Sequence, residues 1–335
     1  MNIAPPAHVP LVVATRGDLA ELVHVGSIAV VDAAGRLIAG VGDPTAFNFT
    51  RSSLKPLQAL PFVADGGMGR FEFTSHELAL MCASHSGEAI HVATVQRMLD
   101  RIGLAEPDLQ CGCHPPTYYV HTATQAPPGA RWNQLHHNCS GKHSGFLAWC
   151  RLHDRPTRTY LDPDAPLQRR VRDVVRGYAG GAEPPMGIDG CSAPNFALPL
   201  TGLAQAFCDL ATGRTAEHAA LAFAMTRHPD LVSGTARSDL ALMQAGRGDW
   251  VTKIGADGVQ AIGIASRGIG IAIRMADGNT RALLAAAVEV LQQLGLLGDA
   301  ETTPLAKYAR PQIKNYRGTV VGRVEPLFAL PKVSL

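Results

Sequence analysis

WVTKIGADGVQAIGIASRGIGIAIRMADGNTRALLAAAVEVLQQL, residues 250–294, decides the fold. Trp250 to Ile254, Val259 to Ala265 and Gly268 to Met275 are aliphatic runs separated by Asp257-Gly258 and Arg267-Gly268, the turn chemistry of antiparallel strands. After Asp277-Gly278, residues Leu283, Leu284, Ala287, Val288, Leu291 and Leu294 recur at helical spacing and mark one apolar face of a long helix. At the other end of the chain, Leu11–Val13, Leu22–Val25, Ser27–Asp32 and Leu37–Val41 form a second set of short strands, divided at Gly17-Asp18, Gly26 and Gly35. Between the two sets the patterns are helical: Ser52–Ala64, a capping box Thr74-Ser75-His76-Glu77 leading to Ala83, Glu88–Ile102, Lys142–Leu152, Leu167–Tyr178, Leu203–Leu210, Glu217–Arg227 and Ser238–Gln244. Much of Leu104–Pro199 reads as loop, rich in Gly, Pro, Cys and His. The order strands, helices, strands, helix predicts an α+β architecture. Its antiparallel sheet is drawn from about residues 9–50 and 248–330 and packed with helices, and a mainly helical, loop-rich region of about residues 51–247 is inserted. Residues 1–335 are expected to form one catalytic unit.

Composition narrows the function. With 46% of its residues hydrophobic and 17% charged, the chain has ample material for a core and is too apolar for disorder. A formal net charge of +2, without runs of like charge, advertises neither a nucleic-acid groove nor an anionic membrane surface, so no nucleic-acid or membrane partner is expected. Low charge with high apolar content favours an oligomer with an apolar interface. No apolar stretch reaches the roughly 18 residues of a membrane span: Glu289 interrupts one candidate, and Gln205 and Asp209 the other. The first always-charged basic residue is Arg16, after Pro5, Pro6 and Pro10, which argues against a secretory leader. Seven cysteines, an odd number, read as reduced thiols in a cytoplasmic protein.

Three short motifs can carry chemistry. Ser52-Ser53-Leu54-Lys55 opens a helix and sets Ser52 and Lys55 at i and i+3, where an amine can take a hydroxyl proton. Ser84 lies in the corner Ser84-His85-Ser86-Gly87 between two helices, and Lys253-Ile254-Gly255 sits on a late strand before a glycine hairpin. This is the chain order of the S-x-x-K, S-D-N and K-T-G motifs of penicillin-recognising serine enzymes. Ser86 and Ile254 stand where those motifs have Asn and Thr, which weakens a β-lactam or peptidoglycan substrate. A second constellation joins Asn138-Cys139-Ser140-Gly141-Lys142-His143 to Gly187-Ile188-Asp189-Gly190-Cys191. Thiolates suit zinc, and a C-x-x-K spacing can add a nitrogen donor; buried free thiols are the plain alternative. Cys111-Gly112-Cys113-His114 is a rival metal or redox cluster, and His136 and His137 are either substrate contacts or ordinary histidines.

Together, Phe49 to Pro56, Cys82 to Glu88, His137 to Gly145, Gly187 to Pro194 and Lys253 to Gly255 resemble the L-asparaginase II family, the rhizobial type of asparaginase, as does the tail Pro311 to Gly322. The resemblance implies a fold like that of serine β-lactamases and glutaminases, hydrolysis of L-asparagine to L-aspartate and ammonia, and a homodimer. Carried over by motif, it implies two Ser-Lys pairs, Ser52 with Lys55 and Ser84 with Lys253, and zinc bound by Cys139, Lys142 and Cys191 with Asp189 in or beside the shell. Arg51 and His143, which flank two of the motifs, are expected to contact substrate together with Asp189. The alternatives are a glutaminase, a β-lactamase-like serine hydrolase, or a zinc-binding sensor that keeps the scaffold without turnover.

Overall fold

The computed structural model describes residues 5–331; residues 1–4 and 332–335, the two ends of the expected unit, lie outside the described residues. The chain begins with β1 (Val9–Arg16), β2 (Leu19–Asp32) and β3 (Leu37–Val41). Strand β2 is continuous where the sequence suggests a break at Gly26. That glycine is where β2 passes from pairing with β1 to pairing with the strand on its other edge, Ile269–Met275. A Cβ at Gly26 would stand 2.1 Å from Arg274 O, so the residue serves close strand approach and not a turn.

After β4 (Phe47–Phe49) come α1 (Lys55–Ala64), α2 (Ser75–Met81), α3 (Ala89–Arg101), α4 (Ser140–Leu152) and α5 (Pro166–Tyr178). Strands β5 (Met186–Ile188) and β6 (Pro194–Pro199) follow, then α6 (Leu200–Thr212), α7 (Ala216–Arg227) and α8 (Ser238–Gly246). The chain ends with β7 (Trp250–Gly255), β8 (Val259–Ile264), β9 (Ile269–Met275), α9 (Thr280–Gln293), β10 (Gln312–Lys314) and β11 (Val320–Pro326). The fold is α+β, as expected. Its main sheet runs β10-β11-β1-β2-β9-β8-β7, with β3 also on β2 and all pairings antiparallel. The first and last parts of the chain thus interleave in one sheet. A small second sheet, β4-β6-β5, falls partly in the stretch read as loop. Two of its strands have three residues, too few to display a period of two.

Alternation along β2 serves two cores. Ile28 and Val30 face one side with Leu283, Val288 and Leu291 of α9, while Ala29 and Val31 face the other with α6 and the helical region. Helix α6 lies almost in backbone contact with the sheet because Gly263 and Gly270 leave room for it: added Cβ atoms would meet Phe207 O at 2.0 Å and Ala204 O at 1.9 Å. We therefore expect Gly270→Ala to force these layers apart and cost about 1–3 kcal/mol, the usual penalty for overpacking. Urea unfolding should show the loss, with Gly69→Ala, whose added methyl meets nothing within 4 Å, as the neutral control.

Candidate active site

Ser52 is delivered to its place by a forced turn. Thr50 Oγ1 donates to Phe196 O at 2.8 Å, Arg51 then adopts φ 49°, and a 3-10 turn, Arg51–Leu54, runs into α1. The structure thus divides the single helix expected from Ser52, and Pro56 lies in the first turn of α1, where its missing N–H breaks no helical bond. A left-handed arginine is unfavourable by itself. Asn195 compensates with its side-chain amide, accepting from Arg51 N and donating to Arg51 O, each at 3.1 Å. The turn packs onto β7 at Gly255, where a Cβ would come 2.6 Å from Thr50 O. Ser84 occupies the corner between α2 and α3, as the sequence suggests. Its N–H donates to Val232 O at 3.0 Å, and Ser86 Oγ donates to Ser233 O at 2.9 Å.

Both serines open on one cavity of about 460 Å³, lined also by Asn138, Arg237, Ser238, Ile254, Gly255 and Ala256. Behind it are two buried lysines, differently engaged. Lys55 Nζ donates to Ser84 Oγ at 2.9 Å and to Ala83 O, and it makes no hydrogen bond to Ser52. Lys253 Nζ donates to Ile254 O at 2.8 Å and forms an ion pair with Asp239 at 3.3 Å, with no hydrogen bond to Ser84. The lysine-to-serine contact in this structure therefore crosses the two expected pairs: a 3-10 turn at residues 51–54 separates Ser52 from the α-helix that carries Lys55. Burial pushes the Lys253 pKa down to about 8 against the pull of Asp239, and the neighbouring charges of Lys55 and Arg237 add to the fall.

Asp239 is the group that sequence reasoning missed. Fully buried, it accepts from Lys253 Nζ, Thr252 Oγ1, Ile254 N and Gln260 Nε2. Nothing in its local motif ties position 239 to a strand beginning eleven residues later. Ser52 N and Ala256 N, by contrast, donate to no acceptor among the described residues.

The sulfur residues gather deeper. Lys142 Nζ donates to Cys191 Sγ at 3.0 Å. A hydrogen bond from Cys191, opposed by burial, holds the Cys139 thiol well below its ordinary range, while burial works against the Lys142 ammonium and is outweighed by the two sulfurs. His143 Nδ1 pairs with Tyr160 OH at 2.7 Å; its Nε2 is buried beside Cys191 without a hydrogen-bond partner, and burial lowers its pKa to about 4. Among the described residues no three His, Cys, Asp or Glu side chains form a metal-holding group; the nitrogen that stands beside the thiols is that of Lys142. With that nitrogen, the two thiols make a soft donor set that fits zinc.

The remaining expected residues are spread differently. Arg51 is tied to Asp189, at 2.9 Å, and to Asp257; these three line a neighbouring cavity of about 350 Å³, not the one that holds the serines. His143 is wholly buried and does not line the serine cavity. Cys113 is exposed and Cys111 buried, so the rival Cys-Gly-Cys-His cluster does not converge. His137 Nδ1 accepts from Cys139 N at 3.0 Å, a structural bond within the loop.

Comparison with known proteins defines the family. The chain belongs to the L-asparaginase II family, whose model matches residues 12–326. The search of curated proteins found no match. Among solved structures it is similar to one described as Mglu in its native form, at 15% identity over 82% of this chain and 65% of that one, with a TM-score of 0.46. A putative β-lactamase from Bacteroides dorei is 10% identical, covering 80% and 93% at a TM-score of 0.43, and a β-lactamase from Mycobacterium bovis is 12% identical, covering 80% and 94% at 0.37. The chain spans about 65% of the length of the Mglu protein.

Because Asn195 alone clamps the left-handed Arg51 backbone, Asn195→Ala should remove two hydrogen bonds, at about 0.5–1.5 kcal/mol each. The expected result is a urea midpoint lowered to match and a loosened Ser52 turn, seen as faster amide hydrogen exchange over residues 50–54.

Proposed function

We propose that this protein hydrolyses the side-chain amide of L-asparagine to L-aspartate and ammonia through a serine ester. The observation that carries the reading is one cavity presenting Ser52 and Ser84, with buried Lys55 bonded to one of them and Lys253 held behind. Ser52 is the nucleophile. Lys55, whose Nζ bonds Ala83 O and Ser84 Oγ beside it, serves as the base that takes the Ser52 proton. Ser52 Oγ attacks the amide carbon. The oxygen that becomes negative is met by the free N–H groups of Ser52 and Ala256. As the C–N bond breaks, the proton taken by Lys55 passes through Ser84 to the departing nitrogen, which leaves as ammonia. Water, deprotonated by the same pair, then attacks the ester, and Ser52 regains its proton.

Lys253, kept as an ammonium by Asp239, supplies positive charge behind the serines. Cys139, Lys142 and Cys191 would hold zinc, which when bound supplies a fixed Lewis-acid charge suited to orienting substrate. The proposal extends to a cytoplasmic homodimer: all seven cysteines are free thiols, and the charged fraction is only 17%.

The test is ammonia release from L-asparagine and, separately, L-glutamine. Asparagine turnover that falls by at least about 100-fold in Ser52→Ala, in line with loss of a nucleophile-base unit, supports the reading. Preference for glutamine would make the protein a glutaminase, and no ammonia from either amide, with zinc supplied, would sink the proposal. Since Lys253 acts as an ammonium with a pKa of about 8, kcat/KM should fall as pH rises through that value. In Lys253→Arg, whose side chain stays charged, the falling limb should disappear. Chelation of zinc should raise KM more than it lowers kcat, and lost turnover at unchanged KM would contradict an orienting role.

A further inference from the structure

The cavity that holds the two serines also contains a guanidinium with nothing to bind. Arg237 lines it, partly buried, and its side chain makes no hydrogen bond and no ion pair with any described residue. Burial pulls its pKa below the ordinary arginine value, against the attraction of Asp239 and Tyr308. Asp239, the nearest carboxylate along the chain, is already occupied by Thr252, Lys253, Ile254 N and Gln260. No Asp or Glu lines the cavity. His121, its pKa lowered to about 4 by burial and by Arg237 and Lys307, is neutral at pH 7, and Lys307 Nζ donates to Ala236 O at 3.2 Å. A charge taken out of water without a partner is costly, and such a group persists where a ligand completes it.

The loop that carries Arg237 is built to hold it still. Thr235 donates through N and Oγ1 to the two Glu88 carboxylate oxygens at 2.8 and 2.7 Å, and Ser233 O accepts from Ser86. Gly234 has φ 108°, and a Cβ there would stand 2.4 Å from Glu88 Oε1. The loop is therefore fastened to the corner that presents Ser84, so the backbone that carries Arg237 is held against that corner. The Ser238 hydroxyl and the Asn138 side-chain amide, in the same cavity, likewise make no hydrogen bond with the described residues.

We propose that Arg237 is the substrate anchor: its guanidinium takes the α-carboxylate of the amide substrate in a two-point contact, with Ser238 Oγ and the Asn138 amide beside it. Planar guanidinium and carboxylate match as paired N–H···O bonds, which gives orientation as well as affinity. The inference rests on the amidohydrolase reading of this cavity and makes it selective for short amides that end in a free carboxylate. It also separates two roles: Arg51, already paired with Asp189 and Asp257, is not the carboxylate receptor.

The test compares wild type, Arg237→Gln and Arg237→Lys, each checked for an unchanged urea midpoint. For L-asparagine, Arg237→Gln should raise KM about 100-fold, the scale of a lost charged hydrogen-bond pair, with kcat held within about tenfold, and Arg237→Lys should recover part of the loss. Asparaginamide, whose carboxylate is capped, should be a poor substrate for wild type and no worse for Arg237→Gln. A second arm measures succinate binding by calorimetry, without turnover. Binding by wild type that Arg237→Gln loses supports the anchor even if no amide is hydrolysed, in which case the proposed reaction fails and the anchor stands. Equal succinate affinity in wild type and Arg237→Gln, or a fall in kcat with KM unmoved, overturns the anchor even if asparagine turnover is intact. Should Arg237→Gln not fold, the same readouts on Arg237→Lys decide, since a folded lysine variant with wild-type KM and succinate affinity overturns it.

Discussion

The buried Asp239 carboxylate joins the two halves of this molecule. It leaves the first turn of α8 and receives donors from β7 and β8: the Lys253 ammonium, the Thr252 hydroxyl, the Ile254 amide and the Gln260 side chain. A carboxylate removed from water needs such a set of donors, and removing one partner of a buried ion pair costs several kcal/mol because the other charge is left uncompensated. The helical region cannot shift against the sheet edge without breaking several of these bonds together. This fixes the position of α8, and with it the loop of residues 233–237 and the wall of the cavity.

Close backbone approach does the rest. Gly255 lets the Ser52 turn sit on β7, Gly263 and Gly270 let α6 lie on the sheet, and Gly26 lets β2 change partners. Each contact brings a main-chain oxygen to where a methyl group would stand, so the layers around the cavity meet through backbone and have little freedom to slide. A site that relies on hydroxyl, amine and N–H groups held at hydrogen-bonding distance benefits from this stiffness, because orientation is established before substrate arrives.

The electrostatics follow from the same architecture. Two buried lysines and one partly buried arginine gather near two serines, and the Asp239 carboxylate is turned away from the cavity toward β7. The result is a cavity wall with positive groups and no acidic side chain. The sulfur cluster of Cys139 and Cys191 with Lys142 lies outside that lining, as a second polar centre in the helical layer.

The amino-acid sequence by itself determined the element plan. Glycine turns at residues 257–258 and 267–268, the apolar face of residues 283–294 and the capping box at Thr74 are local signals, and strands, helices and the Ser84 corner follow from them. It also singled out Ser52, Lys55, Ser84 and Lys253, because motif spacing is a property of the chain. Which amine touches which hydroxyl was decided only by tertiary structure: Lys55 reaches Ser84 across 29 positions of sequence, while the Ser three residues before it belongs to a separate 3-10 turn. Asp239 and Arg237 carried no legible signal, since an acid and a base two residues apart at a helix start are commonplace in solvated faces. Their meaning comes from burial, which supplies donors to one and withholds acceptors from the other, and burial is a property of the whole fold.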